Sequence, residues 1–377
     1  MPLGSQVARW SSDAGARAVV VPYVLSRAIV VLALVLTRHV LRTGRVAGTL
    51  PIQAHQGLLA WDASWYRDIA SGGYGHVAKV GLRFFPLFPL LARGVSWLPA
   101  VSAGAAVIAV ANVSALAVGF LVWELARREG RDVDVARRAV WIVYLAPSAF
   151  VLVMGYAEAT FMTAALVVLL CLRHERWWWA AAAGLVAGLT RPLGLLLAVP
   201  AAVEAFRTRN GASVPGLAAR GAATLAPLAG TGIYLAAVEH RSGHLLYPLT
   251  VQQVSTSRGG WIDPVRAVWR AAHQAASGGH LSAGIHVVTA VALVVLLVVC
   301  ARRWPLSFTA YAVVAVAVGL SARNLDSIER YSLSTVPLVL AAADLTGGGT
   351  RERVVLTALT ATLVACSVLA FSGLLVP

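Results

Sequence analysis

Long apolar runs separated by short basic gaps dominate the chain. The runs fall at about 18–38, 101–123, 139–156, 157–172, 177–190, 192–206, 217–239, 283–301, 305–321, 331–345 and 353–375. A helix that crosses a bilayer needs roughly 20 apolar residues, so the pattern predicts an all-α polytopic membrane protein with about eleven transmembrane helices. The pairs 139–172 and 177–206 read equally as hairpins or as single bent segments.

The basic gaps fix an expected orientation. Glu124–Arg138, Arg173–Arg176, Arg207–Arg209, Arg302–Arg303 and Arg351–Arg353 alternate with turns that carry few charges. Positive loops stay in the cytoplasm. The N-terminus, with Arg9 and Arg17, is therefore expected inside and the C-terminus outside. Two long segments, 39–100 and 240–282, fall on the external face, as do short turns near 155–158, 190–192 and 321–331. No linker or repeat divides the chain. The expectation is one multi-pass domain over 1–377 in the cell's inner or plasma membrane, with its chemistry on the outer face.

Composition agrees with this picture. The 377 residues are 59% hydrophobic and 12% charged, far from a soluble domain. The net charge of +15 sits largely in the gaps between spans, so it reflects topology and not a nucleic-acid partner. Cys171, Cys300 and Cys366 lie inside apolar runs and read as packing residues. The first apolar run is too long for a cleavable signal peptide, and no A-x-A site follows it. His240 and His244 have metal-ligand spacing but no third ligand, so no metal is expected. No phosphate-cradling or dinucleotide-binding glycine motif occurs, so no nucleotide cofactor is expected.

The unusual residues cluster in the expected external segments. In LAWDASWYRDIASGGYG (Leu59–Gly75) an acid stands between two tryptophans. Read as a helix at 100° per residue, Asp62 falls among Trp65, Tyr66 and Ile69, and Asp68 falls on the polar side with Arg67. Desolvation on an apolar face raises a carboxyl pKa and strengthens it as a base. Asp62 could equally be a helix N-cap. Asp68 reads as a solvated surface acid. Arg83–Arg93, with three Phe and two Pro, reads as an interfacial or re-entrant segment that could grip a lipid chain.

Glu158, Arg191 and the triplet Glu329-Arg330-Tyr331 sit at three external turns between apolar runs. Charges at such depth are costly and usually have a partner or a task. Arginines there suit a phosphate through charge-assisted hydrogen bonds, or they snorkel to headgroups, as Arg27 in the first span is expected to do. Gln252, Gln253, Arg258 and Trp261 in the second external segment suit sugar hydroxyls and a ring face, or an ordinary polar loop.

Taken in order, these pieces resemble the PIG-V family, the GPI mannosyltransferase II family of the GT-C membrane glycosyltransferases. The resemblance rests on Trp61-Asp62, Trp65-Tyr66, Gly73-Tyr74 and Phe85-Pro86-Leu87-Phe88-Pro89. It continues through Ala146-Pro147-Ser148, Tyr156-Ala157-Glu158-Ala159-Thr160-Phe161, Thr190-Arg191-Pro192-Leu193-Gly194 and Glu329-Arg330-Tyr331 with Pro337. It implies a GT-C-like bundle with a helical first external loop and a polyprenyl-phosphate-mannose donor. The implied reaction is an inverting transfer to an external glycolipid or glycan. Asp62 would be the general base, and Arg191 and Arg330 would hold the donor phosphate. Trp61, Trp65, Tyr66, Glu158, Gln253 and Tyr331 would contact donor or acceptor, and the Phe84–Phe88 cluster would help seat the lipid. A transporter or flippase of lipid-linked sugars is the alternative; it would need polar residues through the middle of several spans, where Arg27, Asn112 and Ser114 are the clearest.

Overall fold

A computed structural model describes residues 13–43, 51–254, 258–278 and 281–377. Among the described residues the chain is helical, apart from one isolated bridge between Trp261 and Ala322. Five helices are long and apolar enough to cross a membrane: α1 (Asp13–Thr43), α4 (Ala103–Arg128), α9 (Val214–Ser242), α11 (Leu281–Arg303) and α15 (Thr350–Phe371). The others are shorter. Those of seven residues or more are α2 (Asp62–Gly72), α3 (Leu87–Val95), α5 (Val133–Leu145), α6 (Glu158–Arg173), α7 (Trp177–Thr190), α8 (Ala198–Arg207), α10 (Pro264–Ala276), α12 (Leu306–Leu320), α13 (Ile328–Ser334) and α14 (Val336–Thr346).

A polytopic membrane protein is therefore what the fold supports, while several expected spans are interrupted. The run 139–156 stops at Leu145, because Pro147 disfavours helix at the residue before it, and continues as a 3-10 turn at Ala149–Leu152. The run 192–206 opens with a 3-10 turn, Pro192–Leu197, before α8. The run 331–345 breaks at Thr335, just ahead of Pro337. Apolar length alone hid these breaks.

Broken backbone inside a membrane must find partners, since no water is there to replace the lost helix bonds. Here Arg27 and Asn112 supply them. Arg27 Nη2 donates to the Leu152 carbonyl at 2.9 Å, and Asn112 Nδ2 donates to the Val153 carbonyl at 3.0 Å. Arg27 Nε also bonds Asn112 Oδ1 at 3.1 Å, and its guanidinium lies 3.7 Å over the Tyr23 ring. The expectation that Arg27 snorkels is thus corrected. It lies near the middle of α1 and points inward, because the interrupted carbonyls offer a stronger partner than distant headgroups.

The short helices form the interior. α6 is enclosed along most of its length, from Glu158 to Leu172. Valines and leucines of α1 and α11, such as Val24, Leu32, Val291 and Val295, are exposed, as a lipid-facing surface would be. α7 and α9 touch backbone to backbone. A Cβ on Gly188 would overlap the Pro227 carbonyl, and one on Gly230 would overlap that of Leu185. Gly184 and Gly188 are one turn apart, the small-residue spacing that lets membrane helices approach closely.

Candidate active site

Two of the helices at the site start from strained backbone. Trp61, immediately before α2, has φ +60°, and Ser327, immediately before α13, has φ +69°. Such conformations cost about 1–3 kcal/mol each in non-glycine residues, and they cluster at functional sites. Trp61 is held there by its indole N–H, which donates to the Ala370 carbonyl at 3.0 Å. The first turn delivers Asp62 and the second delivers Arg330, and the two meet. Arg330 Nη1 lies 2.7 Å from Asp62 Oδ2, and Arg83 Nη2 lies 3.3 Å from Asp62 Oδ1.

The network runs on from Arg330. Its Nε is 3.2 Å from Glu158 Oε1, and Glu158 also pairs closely with Arg191. The backbone N–H of Asp62 donates to the Tyr156 hydroxyl at 3.3 Å. Arg258 pairs with no carboxylate among the described residues. It donates to the Tyr331 hydroxyl at 3.1 Å and lies 4.5 Å over that ring.

These groups surround a cavity of about 480 Å³. Arg83, Arg191, Arg258 and Arg330 line it against Asp62 and Asp326, together with Trp61, Trp65, Tyr66, Tyr156, Gln252 and Tyr331. A second cavity of about 270 Å³ adjoins it and is mostly apolar, with Leu193, Leu196, Leu249, Trp261 and Val318 among its walls. Arg191, Pro192, Gln252, Arg258 and Tyr331 belong to both. A cationic chamber and a greasy groove therefore share one wall of two arginines and a tyrosine.

Asp62 differs in two respects from its sequence reading. It caps nothing: Trp61 holds the N-cap position without a side-chain bond, and both Asp62 carboxylate oxygens face guanidiniums. Its pKa is not raised either. Burial pushes it up, but the charges of Arg330 and Arg83, and the Arg330 hydrogen bond, outweigh that and hold it below the ordinary carboxylate value. Asp68 pairs with its neighbour Arg67 at 2.8 Å on the surface, as the helical phase predicts.

Most of the sequence-predicted residues converge here: Asp62, Trp61, Trp65, Tyr66, Arg191, Arg330 and Tyr331 all line the chamber. Gln253 does not; it lines the apolar groove. Glu158 is 0% exposed and does not line the chamber; it is the buried counter-ion that holds Arg191 and Arg330 side by side. Phe84, Phe85 and Phe88 are buried, with Phe84 against Trp65 and Tyr66, and Phe88 against Tyr66. Phe88 packs behind α2, Phe85 packs against Tyr234, and Phe84 and Phe85 also line the chamber. Arg83, Tyr156 and the junction role of Arg258 were missed. In the sequence Arg83 borders an aromatic segment and Arg258 is one polar residue in a polar loop, and neither position marks a side chain that turns inward.

Among the described residues no group of three or more His, Cys, Asp or Glu side chains could hold a metal ion. No protein-family model matches the chain, and no curated protein matches it. The resemblance to the PIG-V family accordingly rests on the motifs themselves.

Proposed function

We propose that the protein is a membrane glycosyltransferase that takes a sugar from a polyprenyl-phosphate donor and passes it to a hydroxyl of an external glycolipid or glycan. One observation carries this reading: the cationic chamber holding Asp62 opens into an apolar groove across Arg191, Arg258 and Tyr331. A lipid-phosphate sugar has the matching order of parts. Its tail suits the groove, its phosphate the arginine junction and its sugar the chamber beside Asp62. Mannose is the sugar to which the motif resemblance points.

The chemistry follows from the charges. The acceptor O–H gives its proton to the Asp62 carboxylate as the oxygen attacks the anomeric carbon from the side opposite the phosphate. The bond from that carbon to the phosphate oxygen breaks, and the lipid phosphate leaves with inversion at the sugar. Guanidiniums near the departing oxygens stabilise charge that grows in the transition state. At rest Asp62 is engaged by Arg330 and Arg83. These two guanidiniums keep the carboxylate ionised and able to accept the acceptor's proton, while the phosphate sits at the separate Arg191–Arg258 junction.

The polar residues within the spans support an enzyme over a transporter. Arg27 and Asn112 are engaged with backbone carbonyls, and Ser114 meets Thr160 at 3.0 Å, so none lines a polar path among the described residues. The test is transfer of label from radiolabelled polyprenyl-phosphate-mannose to lipid or glycan by purified protein, beside Asp62→Asn. Transfer by the wild type alone is expected. Label that crosses a vesicle bilayer without transfer would replace this reading with a transporter.

A further inference from the structure

Helix α10 lies just past the groove and has three distinct faces. On one, Ala267 and Ala271 are buried in a cluster with Ala290 and Leu293 of α11 and Ala312, Val316 and Leu320 of α12. On the second, Val265 and Trp269, one turn apart, are 76% and 72% exposed. The third carries exposed Arg266 and His273 and half-buried Arg270, whose Nε is enclosed, and no carboxylate pairs with either arginine among the described residues. Trp261, 60% exposed, precedes the helix and lines the apolar groove.

Water does not favour a valine and a tryptophan bared on successive turns. A second copy docked face to face about a twofold axis would set the unpaired arginines of each copy beside one another. A lipid surface satisfies both faces: the apolar stripe enters the acyl boundary and the guanidiniums meet lipid phosphates.

We propose that α10 is an interfacial helix, seated in the headgroup layer of the leaflet on the cavity side, whose partner is an anionic lipid surface. A stiff strap joins it to the site. The Ile262 N–H donates to the Ser321 carbonyl at 3.1 Å, Arg323 N–H to Gly260 at 3.0 Å and Asn324 N–H to Arg258 at 2.9 Å. The leaflet contact thereby sets the height of the groove mouth relative to the lipid chains. That consequence for the groove rests on the donor reading above; the membrane contact does not.

The test uses the full chain in lipid nanodiscs, with Cys171→Ala and a fluorophore on Val265→Cys, Arg266→Cys or Trp269→Cys. Quenching by headgroup-proximal nitroxide lipid is compared with quenching by iodide in the water. The labels at 265 and 269 should lose most of their emission to the lipid quencher, reading a depth of roughly 5–10 Å. The label at 266 should respond mainly to iodide. Added phosphatidylglycerol should strengthen lipid quenching at 269, and Arg266→Gln with Arg270→Gln should remove that gain. Labels at 265 and 269 as open to iodide as the one at 266 would overturn the proposal. So would protection from both quenchers with cross-linking between chains, which would mean a second copy covers the face. No sugar donor enters the measurement, so failure of the transferase reading would leave its result standing.

Discussion

The two ends of α6 carry opposite kinds of ion-pair cluster. At its N-terminus, Glu158 joins Arg191 and Arg330 beside an open chamber lined by four arginines and two aspartates. At its C-terminus, roughly 22 Å away at 1.5 Å per residue, Arg173 grips Glu129 through both guanidinium arms at 2.7 and 3.2 Å. Glu204, 2% exposed, gathers Arg173 at 3.2 Å, Arg207 at 3.3 Å and the Ser307 hydroxyl at 2.6 Å. That second cluster lines neither the chamber nor the groove. Buried charge alone therefore does not mark a site. A surplus of one sign facing empty space does, because it leaves room and attraction for a ligand of the other sign.

The comparison breaks most sharply at Asp62. Asp62→Asn should cut transfer by about 10²–10⁴-fold, the usual worth of a positioned base, with the protein still folded by size-exclusion and thermal unfolding. Retained turnover would remove it from the reaction. Glu204→Ala should do the reverse. It leaves the buried Ser307 hydroxyl without its acceptor and removes one of the two carboxylates that hold Arg173, and should cost about 1–3 kcal/mol of stability, read as a lower unfolding midpoint in detergent with donor KM unchanged. A fall in donor affinity at equal folding would make the two ends functionally alike.

Arg258→Ala should remove charge-assisted bonds worth about 1.5–3 kcal/mol, seen as a higher donor KM with acceptor KM little changed. An effect on the acceptor alone would move the phosphate away from the chamber–groove junction.

The pH profile sharpens the electrostatic argument. Arg330 and Arg83 hold the Asp62 carboxyl below its ordinary value. The carboxylate is then ionised across the neutral range, and kcat/KM should show no acidic limb from it near pH 6. The pairing also stabilises the fold above the unfolded-state pKa, and that stability is lost as pH falls through the lower, folded pKa. Arg330→Gln should raise the Asp62 pKa and move the acidic limb of the profile to higher pH. An unchanged profile would mean Arg330 does not set the charge of Asp62. The smallest effect should be that of Asp68→Asn, within about 0.5 kcal/mol for an exposed residue and with near-normal transfer. A folded but inactive Asp68→Asn would transfer the role of base to Asp68.

The sequence makes the long lipid-facing spans legible because their length and hydropathy answer directly to bilayer thickness. It also singles out Asp62, Arg191 and Arg330, since isolated charges among apolar and aromatic residues stand out. What it hides is direction. Arg27 and Arg258 look like residues that reach for headgroups or water, yet both turn inward toward partners distant in sequence. Phe88 looks like part of a lipid grip and packs behind α2 against Tyr66. Helices buried on every side, such as α6, have no apolar stripe from which to read a phase. The breaks near Pro147 and Pro337, and the close glycine pair of α7, did carry local signals that apolar continuity obscured.

The inward arginine of α1 has a consequence for how the protein is made. Arg27 lies 125 residues before Leu152, whose carbonyl it binds, and 85 before Asn112. While the chain emerges, α1 enters the bilayer with that guanidinium unpartnered, at an insertion cost of about 2.5–3.5 kcal/mol for a central arginine. Its apolar residues carry the segment in, but it is not a settled span until α4 and the 149–152 turn arrive. α1 is thus locked only after α4 and the 149–152 turn, 125 residues further along the chain, have followed it into the membrane.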